Sequence, residues 1–297
     1  MASGPSLTVA LPYATAPLRF VRAALKSLVQ QEFTGWKGVV VDDSPGGNFE
    51  VKALVSEFRD SRLRYVRNAG PHGIGHAWNA CADQVNAELF CLLHDDDELD
   101  PVYLTTMLRL AEAHPDASVY FCGATIIDDT GASCFSLPDF VKRIIAPRAE
   151  PIILQGSGGI GRLAVGDFIM CPTMTYRTAK IATRRFSTEH SFVLDYRFVL
   201  EILAGGGSIV GTHRRAYRYR RHGGQWTRSV SISGHRFREE IELLRELEVL
   251  AAQRNWPTVR RLAKLRPLVR LNVAYEILRG VVERRSLDKE KLRYLVA

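Results

Sequence analysis

The stretch Glu88–Pro101, ELFCLLHDDDELDP, turns from apolar to acidic near its midpoint. An apolar run such as Leu89–Leu93 is typical of a buried β-strand. Five of the six positions from 95 to 100 are acidic, and like charges at this spacing repel one another. A bound cation would remove the repulsion. The alternative is a helix cap, since Asp100 before Pro101 suits the start of a helix. The stretch therefore predicts a strand that delivers carboxylates to a metal site.

Strand-like and helix-like segments alternate on both sides of this stretch. The strand-like segments are LTVALPY, WKGVVVDDSP, LRYVRN, ELFCLLHDDD and ASVYFCGATIID. This alternation predicts a parallel sheet with helices on both faces, and ligands bind such sheets at the carboxyl ends of the strands. We expect the side chains that follow the strands to share that edge: Pro12, Tyr13, Asp42, Asp43, Asn68 and Asp95–Asp97.

Residues 128–166 break the alternation, because they are rich in Gly, Pro and polar residues. This composition predicts loops that can move. Among them GSGGIG, residues 156–161, spells GxGxxG. A dinucleotide site would instead open the first strand–helix unit and carry an acid about 20 residues later. We interpret the segment as a mobile loop near an acceptor. From about Ser233 the pattern is helical.

Composition excludes several classes of protein. The chain has 297 residues, 46% of them hydrophobic, which suits one large globular domain or one domain with an appendage. It contains no run of 18 apolar residues and no signal-peptide pattern, so we expect neither a transmembrane helix nor secretion. The five cysteines are odd in number and lack CxxC spacing, as in the reduced core of a cytoplasmic protein.

Charge is unevenly distributed along the chain. Residues 213–297 contain 21 Lys and Arg against nine Asp and Glu, whereas the remainder contains 19 against 23. A basic C-terminal third indicates either an anionic partner or a solvated helical face. None of the nucleic-acid recognition motifs is present, and the arginines do not alternate with an aromatic platform, so we expect no nucleic-acid partner.

Four pieces, in this order, resemble a family 2-type glycosyltransferase of the GT-A fold. They are LPY, VVVDDSP, the stretch RNAGPHGIGHAWNACADQVNAELFCLLHDDDELDP, and FVLDYRFVLEILAGGG. The resemblance covers about residues 7–225. It implies a mostly parallel, Rossmann-like sheet with flanking helices, followed by a C-terminal helical extension. It also implies a nucleoside diphosphate sugar donor, UDP-linked in preference to dTDP- or GDP-linked.

The resemblance assigns most of the site to the donor. The residues that it implies for donor binding are Pro12, Tyr13, Asp42, Asp43, Asn68, Gly73, Asn79, Asp95 and Arg221. The tyrosine ring would pack on the base. One of the two adjacent aspartates Asp42 and Asp43 would face the ligand while the other supports the turn, because neighbouring strand residues point to opposite faces. Arg221, or Arg220 beside it, would pair with phosphate oxygens.

Mn²⁺ or Mg²⁺ is the implied cofactor, because a hard cation bridging diphosphate oxygens stabilises the charge that develops as they leave. His94 stands where the family often has the first Asp of its DxD motif, so Asp96 is the expected direct ligand. A literal Asp95-x-Asp97 motif is the alternative, with Asp97 as ligand. His222 is an additional metal ligand or a diphosphate contact.

Asp195 is the implied general base of an inverting transfer to a hydroxyl acceptor. A carboxylate within hydrogen-bond reach would take the acceptor proton during attack on the anomeric carbon. The family usually shows Glu-Asp here, whereas this chain has Leu194-Asp195. Glu189 and Glu201 are the alternatives.

We predict a GT-A catalytic domain over residues 1–230 and a basic helical extension over 231–297. The catalytic domain would have a nucleotide-binding half, 1–127, and an acceptor-side half, 128–230. The acceptor would be a saccharide, a lipid-linked compound or a small molecule. The apolar stripe of the extension would pack on the catalytic domain or on a second copy, or contact a membrane. We expect a cytoplasmic protein, with peripheral contact at the inner face of the membrane as the further option.

Two other functions fit the same sheet. A sugar nucleotidyltransferase would need a Gly-rich phosphate loop after the first strand, and LPYATAPLRF contains no Gly. A non-catalytic sugar-nucleotide-binding or scaffold protein would keep the donor side but would not need the base.

Overall fold

The computed structural model describes residues 6–225, 233–283 and 289–296. These residues form one mixed sheet, flanked by helices, with spatial strand order β3-β2-β1-β4-β8-β6-β9-β5 and β7 paired to β9. The strands are β1 (Leu7–Tyr13), β2 (Trp36–Asp42), β3 (Leu63–Arg67), β4 (Leu89–Leu92), β5 (Glu98–Leu99), β6 (Val119–Ile127), β7 (Ile152–Gln155), β8 (Met174–Arg177) and β9 (Ser208–Arg220). The helices are α1 (Leu18–Val29), α2 (Phe49–Glu57), α3 (Ile74–Asp83), α4 (Tyr103–Ala113), α5 (Leu137–Ile145), α6 (Gly156–Val165), α7 (Thr178–Ile181), α8 (Leu194–Ala204), α9 (His235–Gln253), α10 (Pro257–Leu265), α11 (Pro267–Val282) and α12 (Lys289–Val296).

The first four strands in space are parallel, as the alternation predicts. Val39–Val41 of β2 are buried on both faces, which suits a central strand covered by helices. In the register of the sheet Tyr13 lies beside Asp42, and Ala10 lies beside Leu92. The carboxyl ends of β1, β2 and β4 therefore meet at one edge.

The other half of the sheet is not purely parallel. β8 runs antiparallel between β4 and β6, and β9 pairs in parallel with β6 but antiparallel with β5 and β7. The β5 pairing sets Leu99 beside Tyr217. The far end of β9 therefore lies against the acidic stretch, although the two are more than 100 residues apart in sequence.

The prediction of a mobile loop over residues 156–161 is wrong, because these residues form the first turns of α6. Gly159, Ile160 and Gly161 are buried there, and a side chain on Gly161 would come within 4 Å of Val259 and Leu262 of α10. Glycine weakens a helix in isolation. Here Ile160 and Leu163 of α6 are buried together with Val259 and Ala263 of α10, and that tertiary packing outweighs the low helix propensity.

The C-terminal helices pack on the sheet domain. Phe237 and Leu244 of α9 and Val269 and Val273 of α11 belong to the same buried cluster as α6, which confirms packing of the amino-terminal part of the predicted stripe. Further along α11 the side chains of Leu278, Val281 and Val282 are exposed. None of the helices in the described ranges is both long enough and apolar enough to span a bilayer.

Candidate active site

A cavity of about 1090 Å³ opens at the carboxyl ends of β1 and β4, at the upper end of the size range of ligand sites. The parts of the chain that line it include the ends of the first strands, helix α5, the segment after β9, the segments around Asp167 and Asp195, and helices α9 and α11. Residues far apart in sequence thus face one space.

The two adjacent aspartates after β2 have different positions. Asp42 is fully buried, and its carboxylate accepts hydrogen bonds from Ser44, the Asn48 backbone and the Tyr65 hydroxyl. Burial alone would raise the pKa of Asp42, but these donors lower it below its usual value. Asp43 lines the cavity. The arrangement favours Asp43 as the ligand-facing member and Asp42 as the support of the turn.

Asn68 and Gly73 fold the loop after β3 around Asp43. The Asn68 amide donates to one carboxylate oxygen of Asp43 at 2.6 Å, and the Gly73 amide donates to the other at 2.9 Å. Gly73 has φ of 123°, in the region that favours glycine, and it lines the cavity. Asn79 lies away from the cavity and binds both backbone groups of Phe186 at 2.9 Å.

Pro12 and Tyr13, at the end of β1, form the cavity wall next to Asp43. The Tyr13 side chain is 5% exposed, and its hydroxyl accepts a hydrogen bond from the Asn48 amide at 3.1 Å. The hydrogen bond therefore fixes the position of the Tyr13 ring at the end of β1, and contact with a base would require a ring held in this way.

The acidic stretch begins after β4 and forms a turn at Asp95 and Asp96, both of which line the cavity. Burial and the neighbouring charge of Asp96 raise the pKa of Asp95 to about 7. Asp97 is fully buried and is not among the residues that line the cavity. Its oxygens accept from the Arg220 backbone at 2.7 Å and the Tyr217 hydroxyl at 3.1 Å.

His222 and Asp96 are one candidate pair of cation ligands. The His222 Nε2 lies 3.0 Å from an oxygen of Asp96, and both residues line the cavity. One ligand atom from each of His94, Asp96 and Asp97 also lies within 4.8 Å of the others. Imidazole and carboxylate ligands suit Mn²⁺, and carboxylates suit Mg²⁺. The geometry favours Asp96 over Asp97 as direct ligand, because donors of the protein already occupy both Asp97 oxygens.

The two arginines at the end of β9 are both engaged by protein groups. Arg220 is 2% exposed and donates to the backbone oxygens of Asp96 and Asp128 and to the Glu98 carboxylate. Arg221 lines the cavity and forms a bidentate pair with Asp139 of α5, at 2.7 and 3.0 Å. Arg221 is therefore the member of the pair that faces a ligand.

Asp195 stands in the first turn of α8 and lines the cavity. Burial, and after it the negative charge of Asp167, raise the pKa of Asp195 to about 6, although Lys142 acts in the opposite direction. A carboxylate with this pKa is ionised at neutral pH and is more basic than an ordinary aspartate, as general-base catalysis requires. The alternatives Glu189 and Glu201 do not line this cavity and border a separate, shallower pocket.

Several residues of the cavity were not predicted from the sequence. Lys142 of α5 lies 3.7 Å from Asp167. Helix α9 supplies Arg236 and Glu240, and the turn between α10 and α11 supplies Arg266. Asp167 follows the Gly-rich segment interpreted as a loop. An amphipathic pattern over residues 137–145 was the one available signal, and it would have placed only Lys142.

Comparison with known proteins agrees with this geometry. The model of the family described as glycosyl transferase family 2 matches residues 9–147. Residues 9–147 are therefore similar to a family 2 glycosyl transferase domain. This domain contains the ends of the first strands and the acidic stretch, whereas Asp195 and His222 lie beyond the matched range.

Solved structures share the fold. TarS of S. aureus (residues 1–349) in complex with UDP-GlcNAc superimposes with a TM-score of 0.69 at 16% identity, over 98% of this chain and 78% of that one. The mannosyltransferase PcManGT of Pyrobaculum calidifontis, in complex with GDP-Man and Mn²⁺, gives 0.62 at 14% identity, over 95% and 76%. The predicted GT-A fold with its C-terminal helical extension is confirmed.

Relatives found by sequence match only part of their own length. The putative colanic acid biosynthesis glycosyl transferase WcaA of Escherichia coli is 25% identical over 108 residues, which are 36% of this chain and 38% of the relative. The matched segments span 38% or less of the length of the curated relatives.

Proposed function

We propose that the protein transfers a sugar from a nucleoside diphosphate sugar to a hydroxyl acceptor, with inversion at the anomeric carbon. One observation carries the proposal: Asp96 and His222, side chains of types that can bind a cation, line the same cavity as Asp195, a carboxylate whose pKa is raised to about 6. Both parts are needed for metal-assisted transfer, and a simple nucleotide-binding module has no use for the second.

On the donor side, the chain binds and orients the nucleotide. Tyr13 presents its ring to the base, and Asp43 presents a carboxylate oxygen for a ribose or base donor. Mn²⁺ or Mg²⁺ held by Asp96 and His222 would neutralise the charge on the departing diphosphate. Arg221 exchanges part of its pairing with Asp139 for phosphate oxygens, a geometry that a guanidinium matches well.

On the acceptor side, Asp195 takes the proton of the attacking hydroxyl. The new bond between the acceptor oxygen and the anomeric carbon forms as the bond from that carbon to the diphosphate breaks. The proton moves to the Asp195 carboxylate, and the nucleoside diphosphate leaves on the opposite face. Lys142, near Asp167 and Asp195, limits the mutual repulsion of these two carboxylates.

We favour UDP as the donor nucleotide, with dTDP and GDP as alternatives. TarS was solved with UDP-GlcNAc and PcManGT with GDP-Man, so the shared fold accommodates either base. Transfer of a hexose is part of the proposal. The acceptor is a saccharide, a lipid-linked compound or a small molecule with a free hydroxyl.

The test is release of nucleoside diphosphate from UDP-sugars with Mn²⁺, with and without a mixture of acceptors, for the native chain and Asp195→Asn. Release that depends on metal and on Asp195 supports the transferase. A non-catalytic binding protein would bind UDP but release nothing from the sugar nucleotide. A nucleotidyltransferase would release pyrophosphate from UTP and a sugar phosphate.

The proposal also covers the domains of the chain, the surface of α11 and the location of the protein. We propose a catalytic domain over 1–230, divided near residue 127, and an extension over 231–297. The exposed apolar side chains of α11 would contact a second copy or an anionic membrane surface, to be separated by sedimentation and by liposome pelleting. A cytoplasmic location, with peripheral membrane contact as the further option, suits the free thiols of all five cysteines.

A further inference from the structure

Arg266 occupies an unusual place between α10 and α11. It is the left-handed residue that ends one helix and begins the next, with φ of 47° and ψ of 50°. This conformation is uncommon for a residue other than Gly, Asn or Asp. The residue is 6% exposed and lines the cavity. An arginine is thus buried at a strained position in the wall of the site.

The guanidinium of Arg266 has no partner within the described part of the chain. Its Nε is buried without a hydrogen bond, and no carboxylate pairs with it there. Burial lowers the pKa of Arg266, and the charge of Arg245 lowers it further. Glu248 acts in the opposite direction, and Arg270 adds a smaller lowering effect. Buried charges are normally paired, because an unpaired one is costly. The unmet requirement is an anion.

Arg236 of α9 provides a second cation on the same wall. Its guanidinium lies 4.7 Å above the Phe192 ring and donates to one oxygen of Glu240 at 3.2 Å. The other Glu240 oxygen is buried without a hydrogen bond. This wall therefore offers two guanidinium groups and one carboxylate oxygen, a set that suits an anionic group carried on a hydroxylated body.

The position of this wall is on the acceptor side of the cavity. A side chain added at Gly166 would meet Leu268 of α11 at 2.3 Å, so the turn after Arg266 packs against the segment that carries Asp167. The charge of Arg236 acts on Asp167, and Asp167 acts in turn on Asp195. Arg236 therefore lies near Asp167, which in turn lies near Asp195, and Arg266 directly precedes the turn that packs beside Asp167.

We propose that Arg266, assisted by Arg236, binds an oxyanion of the acceptor, a phosphate ester or a carboxylate, while a hydroxyl of the same molecule approaches Asp195. The inference rests on the proposed transfer to a hydroxyl acceptor and narrows it to anionic acceptors. The planar guanidinium fork matches either oxyanion in bidentate geometry. An acceptor that supplies the missing anion would gain specificity, because a neutral analogue leaves Arg266 unpaired.

The test compares three sugars that differ at C6: glucose 6-phosphate carries a phosphate ester, glucuronate carries a carboxylate, and glucose is neutral. Each is titrated by ligand-observed NMR against protein saturated with UDP and Mn²⁺, so that the donor side is filled. The native chain is expected to bind one of the anionic sugars at least roughly tenfold more tightly than glucose, and Arg266→Gln to lose that preference. Which anion binds distinguishes phosphate from carboxylate.

Two further variants separate binding from folding. Arg260→Gln removes the same charge from an exposed position on α10 and should leave all three affinities unchanged. Arg266→Met should lose anion binding yet raise the midpoint of thermal unfolding, because it removes a buried unpaired charge. A purely structural arginine would lower that midpoint when replaced.

Equal binding of the three sugars by the native chain, or equal preference in Arg266→Gln, would overturn the inference. Absence of UDP binding would instead contradict the proposed function, and the same titrations without nucleotide would still report on Arg266.

Discussion

The donor side and the acceptor side of the cavity are built in different ways. On the donor side, Asn68 and Gly73 both donate hydrogen bonds to Asp43, and all three residues follow strands of the parallel half of the sheet. On the acceptor side, Asp195 lies in the first turn of α8, and Arg266 lies between α10 and α11. One has a raised pKa and the other has no partner among the described residues.

This difference separates two tasks. The donor side is fixed by local backbone geometry, and protein groups already donate hydrogen bonds to the Asp42 and Asp43 carboxylates. Asp95 is the exception there, because burial and Asp96 raise its pKa. The acceptor side is assembled by packing of α9 and α11 on the sheet domain, and it keeps charged groups in unfavourable environments. We infer that the donor side binds the nucleotide through preformed contacts. The acceptor side would carry the general base and the residues that select the acceptor.

The largest expected effect comes from Asp195→Asn. Removing the base should reduce turnover by roughly 10²- to 10⁴-fold, while the affinity for UDP and Mn²⁺ stays the same, because the donor side is intact. Steady-state kinetics and nucleotide titration measure the two quantities. Glu201→Gln, an exposed change on the same helix, is the matched control. Turnover within a few-fold of the native value would assign the base elsewhere.

Asp96→Asn tests the other side. Loss of a metal ligand should weaken UDP binding in the presence of Mn²⁺ by roughly 10- to 100-fold or more, and should leave the weak metal-free binding unchanged. Asp116→Asn, in which the altered side chain is 99% exposed, controls for the change in charge. If Asp96→Asn binds as the native chain does, the acidic stretch is a structural cap.

Glu239→Gln tests the hydrogen bonds that connect α9 to residues 191–193, on the acceptor side of the cavity. The Glu239 carboxylate accepts from the backbone amides of Ser191, Phe192 and Val193 at 2.8–3.2 Å. Loss of these bonds to a charged group should lower the free energy of unfolding by about 1.5–3 kcal/mol, as measured by denaturant titration. The control is Glu242→Gln, at an exposed position of the same helix.

The difference between native and Glu239→Gln should depend on pH. Burial would raise the pKa of Glu239, but the three amides and the Ser191 hydroxyl lower it overall. The carboxylate therefore stabilises the fold above the ordinary pKa of glutamate, and this contribution is lost as the pH falls through the lowered value. A difference in stability that persists in strong acid would contradict a charge-based joint.

The smallest effect is a shift along the pH axis. Activity of the native chain should fall as the pH drops through about 6, where Asp195 becomes protonated. Asp167→Asn removes a negative neighbour that raises this pKa, so the acid limb of kcat/KM should move to lower pH. Asp129→Asn, also on the cavity wall but not among the groups that shift Asp195, should leave the limb in place. An unmoved limb in Asp167→Asn would show that the two carboxylates are not coupled.

Sequence predicted the donor side more completely than the acceptor side for a physical reason. Strand-end residues are placed by the sheet itself, so Tyr13, Asp43, Asp95 and Asp96 could be assigned to one edge from their spacing alone. Sequence could not decide between Asp42 and Asp43, because the choice depends on which carboxylate the turn around Asn48 saturates.

On the acceptor side, position depends on contacts between distant segments. The Gly-rich run before Asp167 has poor helix propensity and becomes a helix only because α10 packs on it, so its predicted mobility was wrong. Arg266 gave no signal among the many basic residues of the C-terminal third. Arg266 is buried because it forms the left-handed turn between α10 and α11. We did not predict this turn from the sequence.

The most direct test of the central claim is calorimetric titration of the native protein with UDP, dTDP and GDP, each with and without Mn²⁺. We expect one nucleotide, UDP in preference to the others, to bind tightly only when Mn²⁺ is present, because Asp96 and His222 would hold the cation that binds the diphosphate. Failure of all three nucleotides to bind in either condition would contradict this expectation.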